Sequence, residues 1–307
     1  MGRSCRAAPG LIVLDVCAPA FTVYRPGYDA SSASAYPGRS VTDLPEYDRP
    51  PVVEMTIGVQ FRSLDRLRGL ALGPLRELWR AEYPAIEEQP ALAPVLEGSP
   101  PLAPQGLQFG LTPLPPVRQW FLSASGAELV QVQPDRLFVN WRADDEIPTK
   151  YPRYPHMRDV FERRFADLAQ FTTSEGLAEP EVSQAELTYI NVIEATTDDL
   201  GRVDRFLKGW SGTPEHHLGE PEQSRLTLTF LVPGIGRPPV RLYVEINPAR
   251  KLNGEPVLFL TLTVRGDPGG RSLSEVLTFL DAAHDHLVRS FDELTEESMH
   301  NIWGRHR

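Results

Sequence analysis

Two arginines set among aromatic rings are the side chains in this sequence best equipped for chemistry. Asn140-Trp141-Arg142 is followed, after a short acidic stretch, by Tyr151-Pro152-Arg153-Tyr154. A guanidinium presents planar donors that match a carboxylate or phosphate, while Trp and Tyr present faces for stacking and cation–π contact. That combination suits an anionic or aromatic ligand. A structural use fits the same residues: Trp141 in a core, Arg142 paired with Asp144, Asp145 or Glu146, and Tyr-Pro-Arg-Tyr-Pro shaping a rigid helix entry. A second polar pair, Tyr189 and Asn191, shares strand parity with Leu187 and either stitches two sheets together or lines a pocket with Arg142. Gln131, Gln133 and Asn140 are expected on the exposed parity of a sheet, and Glu245 and Asn247 are expected to form a turn.

Other reactive residue types form no recognisable constellation. His284 and His286 are two apart on an expected helix and point away from each other, and His284 with Asp281 reads as a helix-surface pair. Glu215-His216-His217 lacks a third ligand at fixed spacing, so neither a metal nor a cofactor is expected. Pro233-Gly234-Ile235-Gly236 is not followed by a helix, as a phosphate-binding loop requires. Serine nucleophile elbows and kinase signatures are missing.

Composition narrows the classes further. A net charge of −10 over 307 residues opposes general affinity for a nucleic-acid backbone. No stretch reaches the roughly 20 apolar residues that span a bilayer. Arg3 and Arg6 before Leu11-Ile12-Val13-Leu14 resemble the start of a signal peptide, but Asp15 interrupts the apolar run. Both cysteines, Cys5 and Cys17, lie in this leader, which leaves no disulfide or zinc framework for the rest and points to a reducing, cytoplasmic setting.

The elements that must position these residues follow one order twice. Val53, Met55, Ile57, Val59 and Phe61 alternate with polar residues as a half-buried strand does. Leu64 to Trp79 changes to helical spacing, broken by Gly69, Gly73 and Pro74. Tyr83 to Pro116 is a Pro-rich connection, either a wrapping arm or a mobile flap. Three strands with legible turns come next, Val117 to Ser123, Glu128 to Gln133 and Arg136 to Trp141, and then an amphipathic helix through Phe171. The second course has a strand from Val182, a helix from Thr197 to about Lys208, strands at 226–232, 240–246 and 257–264, and a helix capped by Ser272. The fold class is therefore α+β, with duplicated β-α-β-β-β-α units forming antiparallel sheet and long helices on one face. Residues 1–46 read as a poorly ordered extension, 47–178 as the first repeat and 179–307 as the second. In element order this is similar to the duplicated TATA-binding-protein-like and effector-binding domains, a likeness that carries no function.

Pro50-Pro51-Val52-Val53-Glu54, Asn140-Trp141-Arg142, Tyr151-Pro152-Arg153-Tyr154, Leu187-Thr188-Tyr189-Ile190-Asn191 and Phe291-Asp292 with Trp303-Gly304 resemble a sporadically distributed bacterial family without an assigned function. The resemblance covers Leu44 to Gly304 and implies a common fold with a start near Leu44. It carries over no activity, cofactor or catalytic residue.

These readings lead to a non-enzymatic binding or interaction protein that acts with a genetically linked partner. A small-molecule or nucleotide-binding sensor built on Arg142, Arg153 and the neighbouring aromatics is the alternative. A hydrolase or nuclease would need an acid or metal constellation beyond those above.

Overall fold

The computed structural model describes residues 44–306 except 65, 68, 94, 96, 98–116, 144–149, 210–216, 218 and 252. The sheet grows from its first strand. In β1 (Val52–Phe61), Met55, Ile57 and Val59 are completely buried, because apolar residues two apart in an extended chain share one face. The strand pairs antiparallel with β5 (Arg136–Arg142) on one side and β6 (Val182–Glu194) on the other, setting Met55 between Trp141 and Tyr189 and Ile57 between Val139 and Leu187. The remaining strands are β2 (Ala85–Pro90), β3 (Val117–Leu122), β4 (Glu128–Gln133), β7 (Leu226–Leu231), β8 (Arg237–Arg250) and β9 (Pro256–Asp267). Together they make one nine-stranded antiparallel sheet in the order β2-β3-β4-β5-β1-β6-β9-β8-β7.

The helices are α1 (Gly73–Trp79), α2 (Arg153–Ser174), α3 (Leu273–Leu294) and α4 (Glu297–Trp303). The apolar stripe of α2, with Met157, Phe161, Phe165 and Leu168, joins the same core as the inward parity of β1 and β5. The stripe of α3, with Val276, Leu280, Ala283 and Leu287, joins it against β6 and β9, and the two helices touch each other. Ser272 opens α3 with a capping box in which its hydroxyl and the Glu275 carboxylate each satisfy a free backbone amide. At the chain ends, Tyr47 donates to Asp292 at 2.7 Å and packs against Phe291 and Trp303, so the segment entering β1 is tied to α3 and α4.

Several expectations require correction. The expected helix from Thr197 is two 3₁₀ turns, Thr197–Asp199 and Val203–Arg205. Gly201 lies between them with its α-carbon pressed on the Pro221 carbonyl, where an added Cβ would come within 1.8 Å. The Pro-rich connection contains strand β2, which pairs along β3 from Ala85↔Leu122 to Pro90↔Val117. Leu78 faces solvent although helical spacing counts it with the core stripe. Glu245 and Asn247 form no turn, because β8 runs on to Arg250 and pairs them with Thr261 and Phe259. The 1–46 extension falls outside the described residues up to 43.

Candidate functional site

The strand parity that buries Met55 and Ile57 sends their neighbours Glu54, Thr56 and Gln60 to the other side of the sheet, here termed the outer face. On that face Glu54 is opposite Arg142, and Thr56 is opposite Asn140 and Thr188. The residues singled out from the sequence therefore separate into two groups. Asn140 and Arg142 belong to the outer face, whereas Trp141, Tyr154 and Tyr189 lie in the core beneath the helices, with Tyr151 packed against it.

The outer group is a connected hydrogen-bond network. Trp120 Nε1 and Arg118 Nη1 both donate to Gln131 Oε1, at 3.0 and 2.9 Å. Gln131 passes a donor to Asn140 Oδ1 at 2.6 Å, and Asn140 Nδ2 donates to Glu54 Oε1 at 2.8 Å and to Thr56 Oγ1 at 2.5 Å. The guanidinium of Arg142 stands 5.5 Å from the Trp120 ring centre, that of Arg118 5.1 Å, both within cation–π range. Arg142 also donates from Nε to the Gly126 carbonyl at 3.3 Å. Burial raises the Glu54 carboxyl above the usual carboxylate range, opposed in turn by the Asn140 hydrogen bond, the Arg142 charge, Thr56 and Arg118. Gln131 and Asn140, bonded to each other, and Gln133, bonded to the arm that follows β2, are buried and are not the solvated polar residues the alternation suggested.

That arm crosses the outer face at the other end of the same strands. The backbone of Leu92 exchanges hydrogen bonds with Gln133, Ala93 accepts from Arg136, and Val95 accepts from Gln60 and Gln184. Glu97 then reaches the second half of the sheet. It accepts from Arg241 at 2.9 Å and from the Tyr243 hydroxyl at 2.8 Å, and stands 3.9 Å from Arg265. Arg265 lies 5.5 Å from the Tyr243 ring and donates to Glu186 at 2.5 Å. Burial opposes the charge of Arg265, yet the nearby carboxylates leave its pKa raised, Glu186 foremost and then Glu97. Of the alternatives left open for the Tyr83–Pro116 connection, its described part is a wrapping arm.

The inner group is aromatic and tightly packed. Trp141 and Tyr151 rings meet at 5.2 Å, and the Tyr151 hydroxyl reaches Met55 Sδ. Burial pushes the Tyr151 hydroxyl up to about 12. Tyr154 stacks on His284 at 4.1 Å and donates to Asp281 at 2.7 Å, where Arg158 also donates, and Tyr189 hydrogen-bonds His284 Nδ1 at 2.9 Å. His284 is therefore no helix-surface residue: burial takes its imidazole down to about 4 and keeps it neutral at physiological pH. Asn191 donates to the Leu260 carbonyl at 3.1 Å, joining neighbouring strands with no part in a shared pocket with Arg142. Arg153 opens α2 with φ +70°, spans to the Tyr47 carbonyl at 3.0 Å and lies over Tyr151. Asp144, Asp145 and Glu146, the partners expected for Arg142 in a structural role, lie outside the described residues, as do Glu215 and His216.

Sequence reasoning did not single out Trp120, Arg118 or Glu54 as site residues, and it set His284 on the helix surface. Parity was the available signal for the first three, since Trp120 and Glu54 alternate with core residues on strands already recognised. A cavity of about 500 Å³ between α2 and α3 is lined by Arg158, Glu162 and Leu277, and one of about 300 Å³ beside the arm by Gln60, Glu97 and Gln184. Neither is lined by Arg142 or Arg153. Searches with protein-family models, against curated proteins and against solved structures gave no match to this chain.

Proposed function

We propose that this chain is a non-enzymatic binding protein whose working surface is the outer face of the sheet in its first half, around Arg142, Trp120 and Glu54. The observation that carries this reading is the guanidinium of Arg142 held over Trp120 at the rim of a network whose other polar groups already satisfy one another. Glu54 accepts two fixed donors and Asn140 is saturated, an arrangement suited to holding a recognition surface rigid and poorly suited to cycling protons. A half-buried guanidinium beside an aromatic ring, reached by neither of the two cavities, fits a protein partner better than an enclosed ligand, and on this reading the partner is genetically linked and the setting cytoplasmic.

Internal duplication belongs to the same proposal. The strand sequences β3-β4-β5-β1 and β7-β8-β9-β6 run inward from the two sides to the β1–β6 junction. A two-fold axis through the Thr56–Thr188 pair exchanges Glu54 with Glu186, and the residues paired with these are Arg142 and Arg265. The same axis exchanges α2 with α3 and sets both on the core face. A titration of the folded protein with inorganic phosphate, ATP and an acidic peptide tests the binding role. We expect at least one to bind and Arg142→Ala to weaken it by about 1 to 3 kcal/mol with an unchanged melting temperature. Equal binding by both proteins, or by neither, would contradict it.

A further inference from the structure

The nine-stranded sheet ends differently on its two sides. At one end β2 carries Glu87, Glu88 and Pro90, the charges and the proline that discourage an edge strand from pairing further. At the other, β7 reads Leu226-Thr227-Leu228-Thr229-Phe230-Leu231, without a charge or a proline, and among the described residues no strand lies beyond it. Phe230 and Leu231 are 41% and 59% exposed, two of the four large apolar side chains that stand exposed among the described residues. The backbone of this edge is equally unguarded. Val232 donates its amide to the Val240 carbonyl at 2.9 Å, so the alternation of an antiparallel ladder turns the amides and carbonyls of Leu228 and Phe230 toward β8 and those of Thr227, Thr229 and Leu231 outward.

We infer that β7 pairs antiparallel with β7 of a second copy of this chain, joining the two sheets across a two-fold axis at Thr229. In that register Thr229 faces its own counterpart and Thr227 faces Leu231, so all three outward residues exchange backbone hydrogen bonds within the strand. Moving the axis to Leu228 would set Leu231 against Arg225, and moving it to Phe230 would set Thr227 against Pro233, which has no amide to give. On the helix side Leu228 meets Phe230 and Leu226 meets Val232, apolar against apolar. A second copy fits better than a foreign charged segment because the strand offers no charge to select one, and the register brings together no charge from two chains that each carry −10. The pairing uses up the open edge of both copies, and the guarded β2 edge stops growth there, so the product is a closed pair. A short strand buries little surface, which makes the pair weak and concentration-dependent. The β7 edge lies in the other half of the sheet from Arg142, so its pairing is independent of binding there.

The test is sedimentation equilibrium of the full chain over a wide concentration range. We expect a reversible monomer–dimer equilibrium that Thr229→Lys weakens about tenfold or more, because it sets two like charges directly opposite each other across the axis. Thr229→Pro should weaken it similarly and leave the melting temperature nearly unchanged, since it removes only an outward amide. The register is read separately. With Cys5→Ser and Cys17→Ser as background, Thr229→Cys should form a disulfide-linked dimer on mild oxidation, whereas Thr227→Cys should not, because Thr227 faces Leu231. A chain that stays monomeric at every concentration, a dimer indifferent to Thr229→Lys, equal linkage through positions 227 and 229, or association that runs on beyond two copies would each overturn the inference. If Thr229→Pro lowers the melting temperature, the two cysteine variants still decide, as neither alters the ladder to β8.

Discussion

Removing the side chain of Asn140 should destabilise the protein by an amount that grows with pH. Asn140 makes three hydrogen bonds of 2.5 to 2.8 Å: it donates to Glu54 and Thr56 and accepts from Gln131. Loss of a bond to a charged carboxylate costs about 1.5 to 3 kcal/mol, and leaving the buried Gln131 amide without an acceptor costs about 1 to 3 kcal/mol more. Asn140→Ala should therefore cost about 3 to 5 kcal/mol near pH 8, or roughly 6 to 10 °C of melting temperature in a chain of this size. The folded-state pKa of Glu54 is already raised above its unfolded value, so Glu54 detracts from stability increasingly as pH rises through the carboxylate range toward that folded value. The Asn140 hydrogen bond acts against that shift. Without it the folded pKa rises further, and the penalty of the variant widens with pH. At pH 5, where more of the carboxyl is protonated, the cost should fall by about 1 to 2 kcal/mol. Urea unfolding of the wild type, Asn140→Ala, Glu54→Gln and the double variant at pH 5 and pH 8 measures each quantity. A penalty that is equal at both pH values in the Glu54-containing protein, or below about 1 kcal/mol throughout, would refute the network as described.

Three further outcomes follow from the inner face and the strands. The ring of His284 should titrate near 4 by NMR, and because its folded pKa lies below the unfolded value, stability should fall as pH drops from about 6.5 toward 4; His284→Gln should remove that part of the acid sensitivity, and a ring pKa above 6 would contradict the packing of Tyr154 on it. Gly58→Ala should cost about 1 to 3 kcal/mol, since the new Cβ would lie 1.6 Å from Phe138 Cδ1, and Phe138→Leu should recover part of the loss in a double-variant unfolding experiment. Arg153→Gly should melt above Arg153→Ala, because glycine accepts φ +70° at no steric cost and alanine does not; the reverse order would show that the position relaxes in solution.

Legibility differed by mechanism. The alternation of β1, the turns of the three-stranded run and the stripes of α2 and α3 were readable because each repeats a local period that burial enforces. Strand β2 was not, since Ala85-Ile86-Glu87-Glu88-Gln89-Pro90 has no apolar period and is a strand only because it borders β3. The Thr197 helix failed at Gly201, whose close contact with Pro221 is a tertiary fact. At the candidate site, adjacency in sequence misled. Arg142 and Trp141 are neighbours on the chain and therefore on opposite faces of the sheet, whereas Glu54 and Trp120 are remote in sequence and join Arg142 through cross-strand register. Parity alone would have separated Arg142 from Trp141, but only the strand order could have brought Trp120 and Glu54 to it.

The central claim is that the first-half outer face binds, and NMR chemical-shift mapping during titration with inorganic phosphate, ATP and an acidic peptide in turn tests it most directly. The account predicts perturbations concentrated at Arg118, Trp120, Gln131, Asn140 and Arg142, with Tyr154, Tyr189 and His284 beneath the helices unmoved. Shifts centred on the inner aromatic group, or spread evenly over the surface with none at Arg142, would contradict it.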